Sequence, residues 1–255
     1  MLSAIILTKN EATKIDRLIK NLSFASEIII IDDHSTDKTP QLAKKLGARV
    51  FSRHLNNNFA EQRNFGLKKA KNEWVLFIDA DETVSPQLAK EIISRIKDSQ
   101  FVGFYINRKE RWLGKTMTWG EWSTLKIFSK YGHNSLLRLG KKDAGKWFRR
   151  VHEYWEVHGP VSELNNALVH NKDKSLRKII DTLNFQAKLH NKANSEEGKK
   201  SSILRILTFP LAKFSLNYFV KQGFRDGIHG FVYATLMSFH SFLAWSQLYL
   251  TQNQK

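Results

Sequence analysis

The stretch Trp74-Val75-Leu76-Phe77-Ile78-Asp79-Ala80-Asp81-Glu82 decides the fold: an uninterrupted apolar run ends abruptly in carboxylates. A short apolar run without polar alternation reads as a strand covered on both faces. The same grammar appears twice upstream. Leu2–Leu7 runs into Thr8-Lys9-Asn10-Glu11, and the isoleucines of Ile28–Ile31 run into Asp32-Asp33-His34-Ser35-Thr36-Asp37. Between these strands lie segments of helical spacing. Ala12–Leu22 carries Ile15, Leu18, Ile19 and Leu22, Thr39–Leu46 stops at Gly47, and Phe59–Ala70 precedes the central strand. Arg49–Ser52 and Phe101–Asn107 read as further strands, and Pro86–Ile96 as a helix with proline at its start. Strand alternating with helix predicts an α/β fold, a mostly parallel central sheet flanked by helices.

In open parallel sheets ligands bind beyond the carboxyl ends of the strands. Three such ends here are rich in carboxylates, although Lys+Arg 41 against Asp+Glu 24 leaves the chain at +17. Carboxylates gathered on one rim repel one another unless positive charge lies between them. A hard divalent cation with oxygen ligands, Mg2+ or Mn2+, is the simplest candidate. Neither a G-x-G-x-x-G after the first strand nor a Walker loop is present, which argues against dinucleotide dehydrogenases and P-loop NTPases. The absence of cysteine excludes disulfides, thiolate zinc sites and cysteine nucleophiles. A D-x-D pair such as Asp79 and Asp81 recurs by chance in many proteins, where it is a solvated turn. Its place after an apolar strand, beside two other acidic strand ends, is what gives it weight.

These stretches together resemble the family-2 glycosyltransferases of the GT-A fold, over roughly residues 1–110. The matching elements are Ile5–Glu11, Glu27–Asp33 with Ser35-Thr36-Asp37, Gln62-Arg63-Asn64, and Trp74–Glu82. The nearest resemblance is to the bacterial lipopolysaccharide-core branch, the beta-1,4-glucosyltransferase-like proteins. Val151-His152-Glu153 and Phe209–Gly230 match that branch more loosely.

The resemblance implies a nucleotide pocket lined by Thr8, Asn10, Glu11, Asp32, Asp33, Arg63 and Asp79. It implies a metal held by Asp81, with His170 as a further ligand. It makes Glu153 the general base with His152 beside it; Glu121 is a third candidate, and Glu153 also reads as a surface carboxylate paired with Arg149 or Arg150. The implied reaction is inverting transfer of a hexose from a nucleotide-sugar, UDP by family habit, to a lipopolysaccharide-core or other lipid-linked or phosphorylated glycan. Capsule, cell-wall or protein acceptors are the alternatives within the class.

Residues 108–150 carry twelve Lys/Arg against three Asp/Glu, and four of the seven tryptophans. Indole faces stack on sugar rings and guanidinium groups grip phosphate. The expected acceptor site is therefore Arg108, Arg111, Trp112, Lys115, Trp119 and Glu121. The competing expectation is a basic face attracted to anionic headgroups.

The expected domains are 1–170, a GT-A domain with a nucleotide-sugar half (1–110) and an acceptor half (108–170), and 171–255, a helical extension. In that extension Ser175–Leu189 reads as a helix and Asn191–Ser202 as a polar linker. Ile203–Val220, broken by Pro210, and Ile228–Leu250 read as interfacial or core-packed helices that associate with membrane or with another copy of the chain. The N-terminus lacks the pattern of a signal peptide. The expected location is cytoplasmic, peripheral on the inner face of the bacterial inner membrane. Charge alone would also suit a nucleic-acid binder, but the acidic rim and the lack of a binding motif oppose that. A non-catalytic sugar-nucleotide binder is the remaining alternative.

Overall fold

The computed structural model describes residues 1–97, 100–112, 114–120, 135–151, 153–172 and 176–253. The chain forms two compact units: Met1–Arg108 with Ser135–Asn171, and Lys109–Asn134 with Lys172–Lys255. The basic, Trp-containing segment from Lys109, expected with the first 170 residues, thus groups with the C-terminal helices.

The first unit is built on parallel strands β1 (Leu2–Thr8), β2 (Glu27–Asp32), β3 (Arg49–Ser52) and β4 (Trp74–Asp79). Helices α1 (Ile15–Asn21), α2 (Thr39–Lys45) and α3 (Phe59–Lys69) join them, and α4 (Pro86–Arg95) follows the two-residue β5 (Glu82–Thr83). β6 (Gly103–Trp112) and β8 (Ser135–Lys141) extend the sheet beyond β4, and β8 runs antiparallel to both neighbours. The order along the sheet is β3-β2-β1-β4-β8-β6. β11 (Val161–Glu163) lies beside β6, and β12 (Leu168–Lys172) pairs antiparallel with β5.

Core residues alternate between the two faces of this sheet. Ile6, Ile30, Leu76 and Ile78 face Ile15, Leu18, Leu88 and Ile92 on one side. Ile5, Ile29, Ile31 and Phe77 face Leu67, Trp147 and Trp155 on the other. Burial on both faces is why the strands read as unbroken apolar runs. Gly66 lets α3 lie close to the sheet, since a Cβ there would meet Ile5 Cγ2 at 2.7 Å. The antiparallel hairpin of β9 (Gly145–Phe148) and β10 (Tyr154–Val157) packs Trp147 and Trp155 under α3 and exposes Phe148 and Tyr154.

In the second unit the last part of β6 pairs with β7 (Lys115–Met117). α5 (Leu176–Glu196) runs further than expected, through the first half of the segment read as a linker. α6 (Ile203–Ser215) begins on Ser202, whose hydroxyl accepts from the Arg205 N–H, and it contains Pro210 without ending there. A π-helical turn, Leu216–Val220, and a 3-10 turn, Gly223–Asp226, lead into α7 (Ile228–Gln252). Among the described residues one helix, Ile203–Val220, is long and apolar enough to cross a membrane by length and composition. Its side chains are largely uncovered: Leu204, Leu207 and Leu211 are 69%, 61% and 69% exposed.

Candidate active site

Register alone brings the strand ends together. Thr8 of β1 lies opposite Asp32 of β2, and Leu7 lies opposite Asp79 of β4. The Thr8 hydroxyl donates to the buried Asp32 carboxylate at 3.0 Å, and Ser35 donates to it through both its N–H and its hydroxyl. Thr8 and Asp32 therefore lock the end of the sheet.

Asp33 points elsewhere. It accepts from Lys9 Nζ at 2.7 Å and from the Leu55 N–H at 2.9 Å. Burial pushes its carboxyl up, but Lys9 and the Leu55 N–H outweigh that and hold it below the usual range. His34 and His54 stack beside it, with ring centroids 3.7 Å apart. Asn10, in the left-handed region at φ 57°, accepts from the Thr36 N–H and donates its own N–H to Ser35. The Glu11 N–H donates to Thr39, while its carboxylate pairs with Lys14. The loops after β1 and β2 are thus fastened to each other and present Asp33 at their edge.

The Gln62-Arg63-Asn64 triplet of α3 works as three separate fasteners. Gln62 donates to the Arg53 carbonyl and accepts from its guanidinium. Asn64 exchanges a reciprocal pair of hydrogen bonds with the Trp147 backbone, at 2.8 and 2.9 Å, and so ties the hairpin to α3. Arg63 is buried. Its Nε donates to Glu153 at 2.9 Å, its Nη2 donates to Asp79 at 3.0 Å, and its guanidinium carbon lies 4.8 Å from the Trp147 ring centroid. One side chain therefore links the first carboxylate of the D-x-D to the candidate base.

Asp79 is gripped from a second side by Arg138 of β8, whose Nη2 lies 2.8 Å from Oδ2. Burial pushes the Asp79 carboxyl up, but Arg138 and then Arg63 overcome this and hold it well below the usual carboxylate range. Arg138 is buried too, and Asp79 and Glu82 keep its proton on despite that burial. Glu82 accepts from the Asp79 N–H at 2.9 Å, closing the turn that carries both D-x-D carboxylates. Arg108 Nη1 lies 3.7 Å from Glu82. Burial first, and then the negative Asp79, push the Glu82 carboxyl up. Arg63 of α3 and Arg138 of β8 thus supply the positive charge beside Asp79, and Arg108 of β6 supplies it beside Glu82.

Asp81 and His170 form the other pair, Oδ1 to Nε2 at 3.1 Å. The antiparallel pairing of β5 and β12 sets this approach, with His170 opposite Glu82 and the Asn171 N–H donating to the Asp81 carbonyl. Among the described residues no group of three or more His, Asp or Glu side chains is arranged to hold a metal.

The residues expected to bind acceptor are dispersed. Arg108 belongs to the first unit and Arg111, Trp112, Lys115 and Trp119 to the second. Trp112 is buried, with its ring edge-on to Tyr233 and His229. Lys115 donates to the Asp226 carbonyl, and the Trp119 N–H donates to the Asp226 carboxylate. Arg225 lies over the Trp119 ring at 4.4 Å. The faces read as sugar platforms in Trp112 and Trp119 are thus covered by protein. Glu121 and His152 lie outside the described residues. Sequence reasoning counted Arg138 only within the basic stretch and missed its pairing with Asp79, as it missed the closing role of Glu82. Glu82 was quoted as part of the acidic run, but nothing around Arg138 in the sequence marks it as facing Asp79.

A mostly parallel central sheet flanked by helices, continued by an antiparallel strand beyond β4, is the GT-A fold. The sequence model of Glycosyl transferase family 2 matches residues 3–152, and the chain belongs to that family. It is an enzyme of the hexosyltransferase class. An uncharacterized glycosyltransferase of Rickettsia bellii is 30% identical over 97% of this chain and 85% of its own length. The lipopolysaccharide core biosynthesis glycosyltransferase LpsC of Rhizobium meliloti is 25% identical over 97% of this chain and 92% of its own. Glucosyl-3-phosphoglycerate synthase from Mycobacterium tuberculosis, solved with Mn2+, UDP and glucosyl-3-phosphoglycerate, shares the fold at a TM-score of 0.51 and 15% identity, covering 79% of this chain and 81% of that one.

Proposed function

We propose that this enzyme transfers a hexose from a UDP-sugar to a phosphorylated glycan of the lipopolysaccharide-core type, with inversion, in a single displacement. The observation that carries this reading is the Arg63 bridge between Asp79 and Glu153. It joins a donor-side carboxylate to a carboxylate able to take a proton, through a buried group that cannot itself lose one. The acceptor hydroxyl oxygen attacks the anomeric carbon while the bond from that carbon to the diphosphate oxygen breaks. The electron pair leaves with the diphosphate, and the hydroxyl proton passes to Glu153. A positioned base of this kind is worth roughly 10²–10⁴-fold. Arg63 orients the carboxylate toward that proton, and the loops fastened around Asn10 and Asp33 receive the nucleoside.

Asp81 and His170 suit a divalent ion. Asp81 would hold it through a carboxylate oxygen, the donor that Mg2+ and Mn2+ prefer, with the His170 imidazole 3.1 Å away. Such an ion, when bound, neutralises charge developing on the leaving diphosphate.

The lipopolysaccharide-core assignment draws on the likeness to LpsC. The location that accords with it is the inner face of the bacterial inner membrane, with the apolar side chains of Ile203–Val220 entering the lipid interface. Arg205, Lys213 and Arg225 bring positive charge to this region, suited to anionic headgroups.

A thermal-shift panel of UDP-, GDP-, dTDP- and CDP-glucose, with and without Mn2+, tests the donor. The expected result is stabilisation by UDP-glucose that grows when Mn2+ is added. Equal responses to all four, or none, would contradict the reading.

A further inference from the structure

The β9–β10 hairpin presents an aromatic surface that its own folding does not require. Strand pairing sets Tyr154 opposite Phe148, and the two rings lie 6.0 Å apart, tilted by 26°. They remain 45% (Phe148) and 53% (Tyr154) exposed. The hairpin is held by other means. Trp147 and Trp155 stack on its inner face and pack edge-on against Phe77. Asn64 clamps the Trp147 backbone. At Gly145 a Cβ would meet the Glu156 carbonyl at 1.8 Å, so the strands approach closely there. An exposed cross-strand aromatic pair adds only about 0.2–1 kcal/mol.

The position of the pair gives it meaning. Tyr154 directly follows Glu153, the carboxylate held by Arg63. Arg149 directly follows Phe148 and adopts φ 71°, a left-handed conformation that a non-glycine residue keeps only where its surroundings impose it. Arg150 comes next, and its carbonyl accepts from the Phe59 N–H at the start of α3. An exposed aromatic pair, followed in sequence by Arg149 and Arg150, thus lies one residue from the proposed base.

We infer that Phe148 and Tyr154 form an acceptor-binding platform for a sugar ring carrying an anionic substituent such as phosphate. This deepens the transferase reading and rests on it. Strand alternation puts Trp155 on the inner face and Tyr154 on the outer one. The platform therefore takes an inner ring of the acceptor glycan, while the sugar to be extended reaches over the hairpin end to Glu153. The aromatic faces cover the C–H face of the ring, and Arg149 and Arg150 favour the anion.

Saturation-transfer NMR with glucose 6-phosphate and glucose as probes tests this, with UDP-induced thermal stabilisation measured in parallel. The wild type is expected to transfer to the ring protons of both sugars, more strongly to glucose 6-phosphate, with that preference lost at high salt. Phe148→Ala/Tyr154→Ala is expected to abolish the transfer and to keep the UDP shift. Phe148→Leu/Tyr154→Leu, which keeps apolar bulk without rings, is expected to weaken it at least about tenfold. Absence of transfer in the wild type, full transfer in the double alanine variant, or a change of oligomeric state as its only effect would overturn the platform. If glucose 6-phosphate binds the pair while no nucleotide stabilises the wild type, the donor reading fails and the platform stands.

Discussion

The charged seam of the first unit and the helices of the second depart from the ordinary distribution of side chains in opposite directions. In the seam, Arg63, Arg138 and Glu82 are buried, and Asp79 is held between two guanidinium groups. In α6 and the turn after it, Leu204, Leu207, Leu211, Phe219 and Val220 face outward. Burying charge is costly unless every charge is paired. Exposing a run of large apolar side chains is costly in water and favourable at a lipid surface. On the proposed reading, each region is a place where folding stability yields to a ligand, a diphosphate-sugar in one and a bilayer in the other.

The largest effect should come from breaking the seam. Arg138→Ala would leave Asp79 with Arg63 alone and remove the main positive neighbour of Glu82. Removing one partner of a buried pair costs about 3–5 kcal/mol, so urea unfolding should report a loss of that order. A loss under about 1 kcal/mol would mean that water reaches the seam and that its charges are not buried as described.

Next comes the opposite region. Leu204→Ser/Leu207→Ser/Leu211→Ser should weaken binding to phosphatidylglycerol vesicles at least about 100-fold, or about 2.7 kcal/mol, in a sedimentation assay. The melting temperature should hardly move, because these side chains bury little within the protein. Unchanged vesicle binding with a fallen melting temperature would make the face a packing surface instead.

The smallest effect refines the comparison by testing a carboxylate outside the seam. Glu91 accepts from the N–H groups of Asn165 and Asn166 and from the Asn166 side chain. Burial pushes its carboxyl up, but these donors outweigh that and hold it below the usual range. A carboxyl with a depressed folded value stabilises above its unfolded value, about 4.3, and loses that contribution as pH falls through the folded one. Glu91→Gln should therefore cost no more than about 1 kcal/mol near neutrality, a difference that shrinks as pH falls through the lowered folded value. A constant difference across pH would show that the charge of Glu91 is irrelevant.

The parallel half of the fold was legible because doubly covered strands leave apolar runs that no surface segment imitates. β1, β2 and β4 begin and end within a residue or so of where those runs do. The antiparallel additions were not legible. β8, the β9–β10 hairpin and β12 interrupt their apolar positions with charged or polar residues, and β8 and β12 pair with strands distant in sequence. α5 extends past Leu189 because Ala193 and Asn194 are buried, although the local composition reads as a linker. At the site, Asp79 and Asp81 stood out through their position after a strand. Arg138 did not, because a lone arginine in a basic stretch carries no local mark. The tryptophans misled for a related reason: an indole suits a sugar and a protein core equally, and only Tyr233, His229 and Arg225 show which surrounds Trp112 and Trp119.

The most direct test of the account is binding of UDP-glucose to the wild type and to Asp81→Asn, by calorimetry, with Mn2+ and with chelator. The account predicts that Mn2+ tightens wild-type binding at least about tenfold, that chelator reverses this, and that Asp81→Asn binds weakly and indifferently to either. Equal Mn2+ dependence in the variant, or tight wild-type binding in chelator, would contradict it.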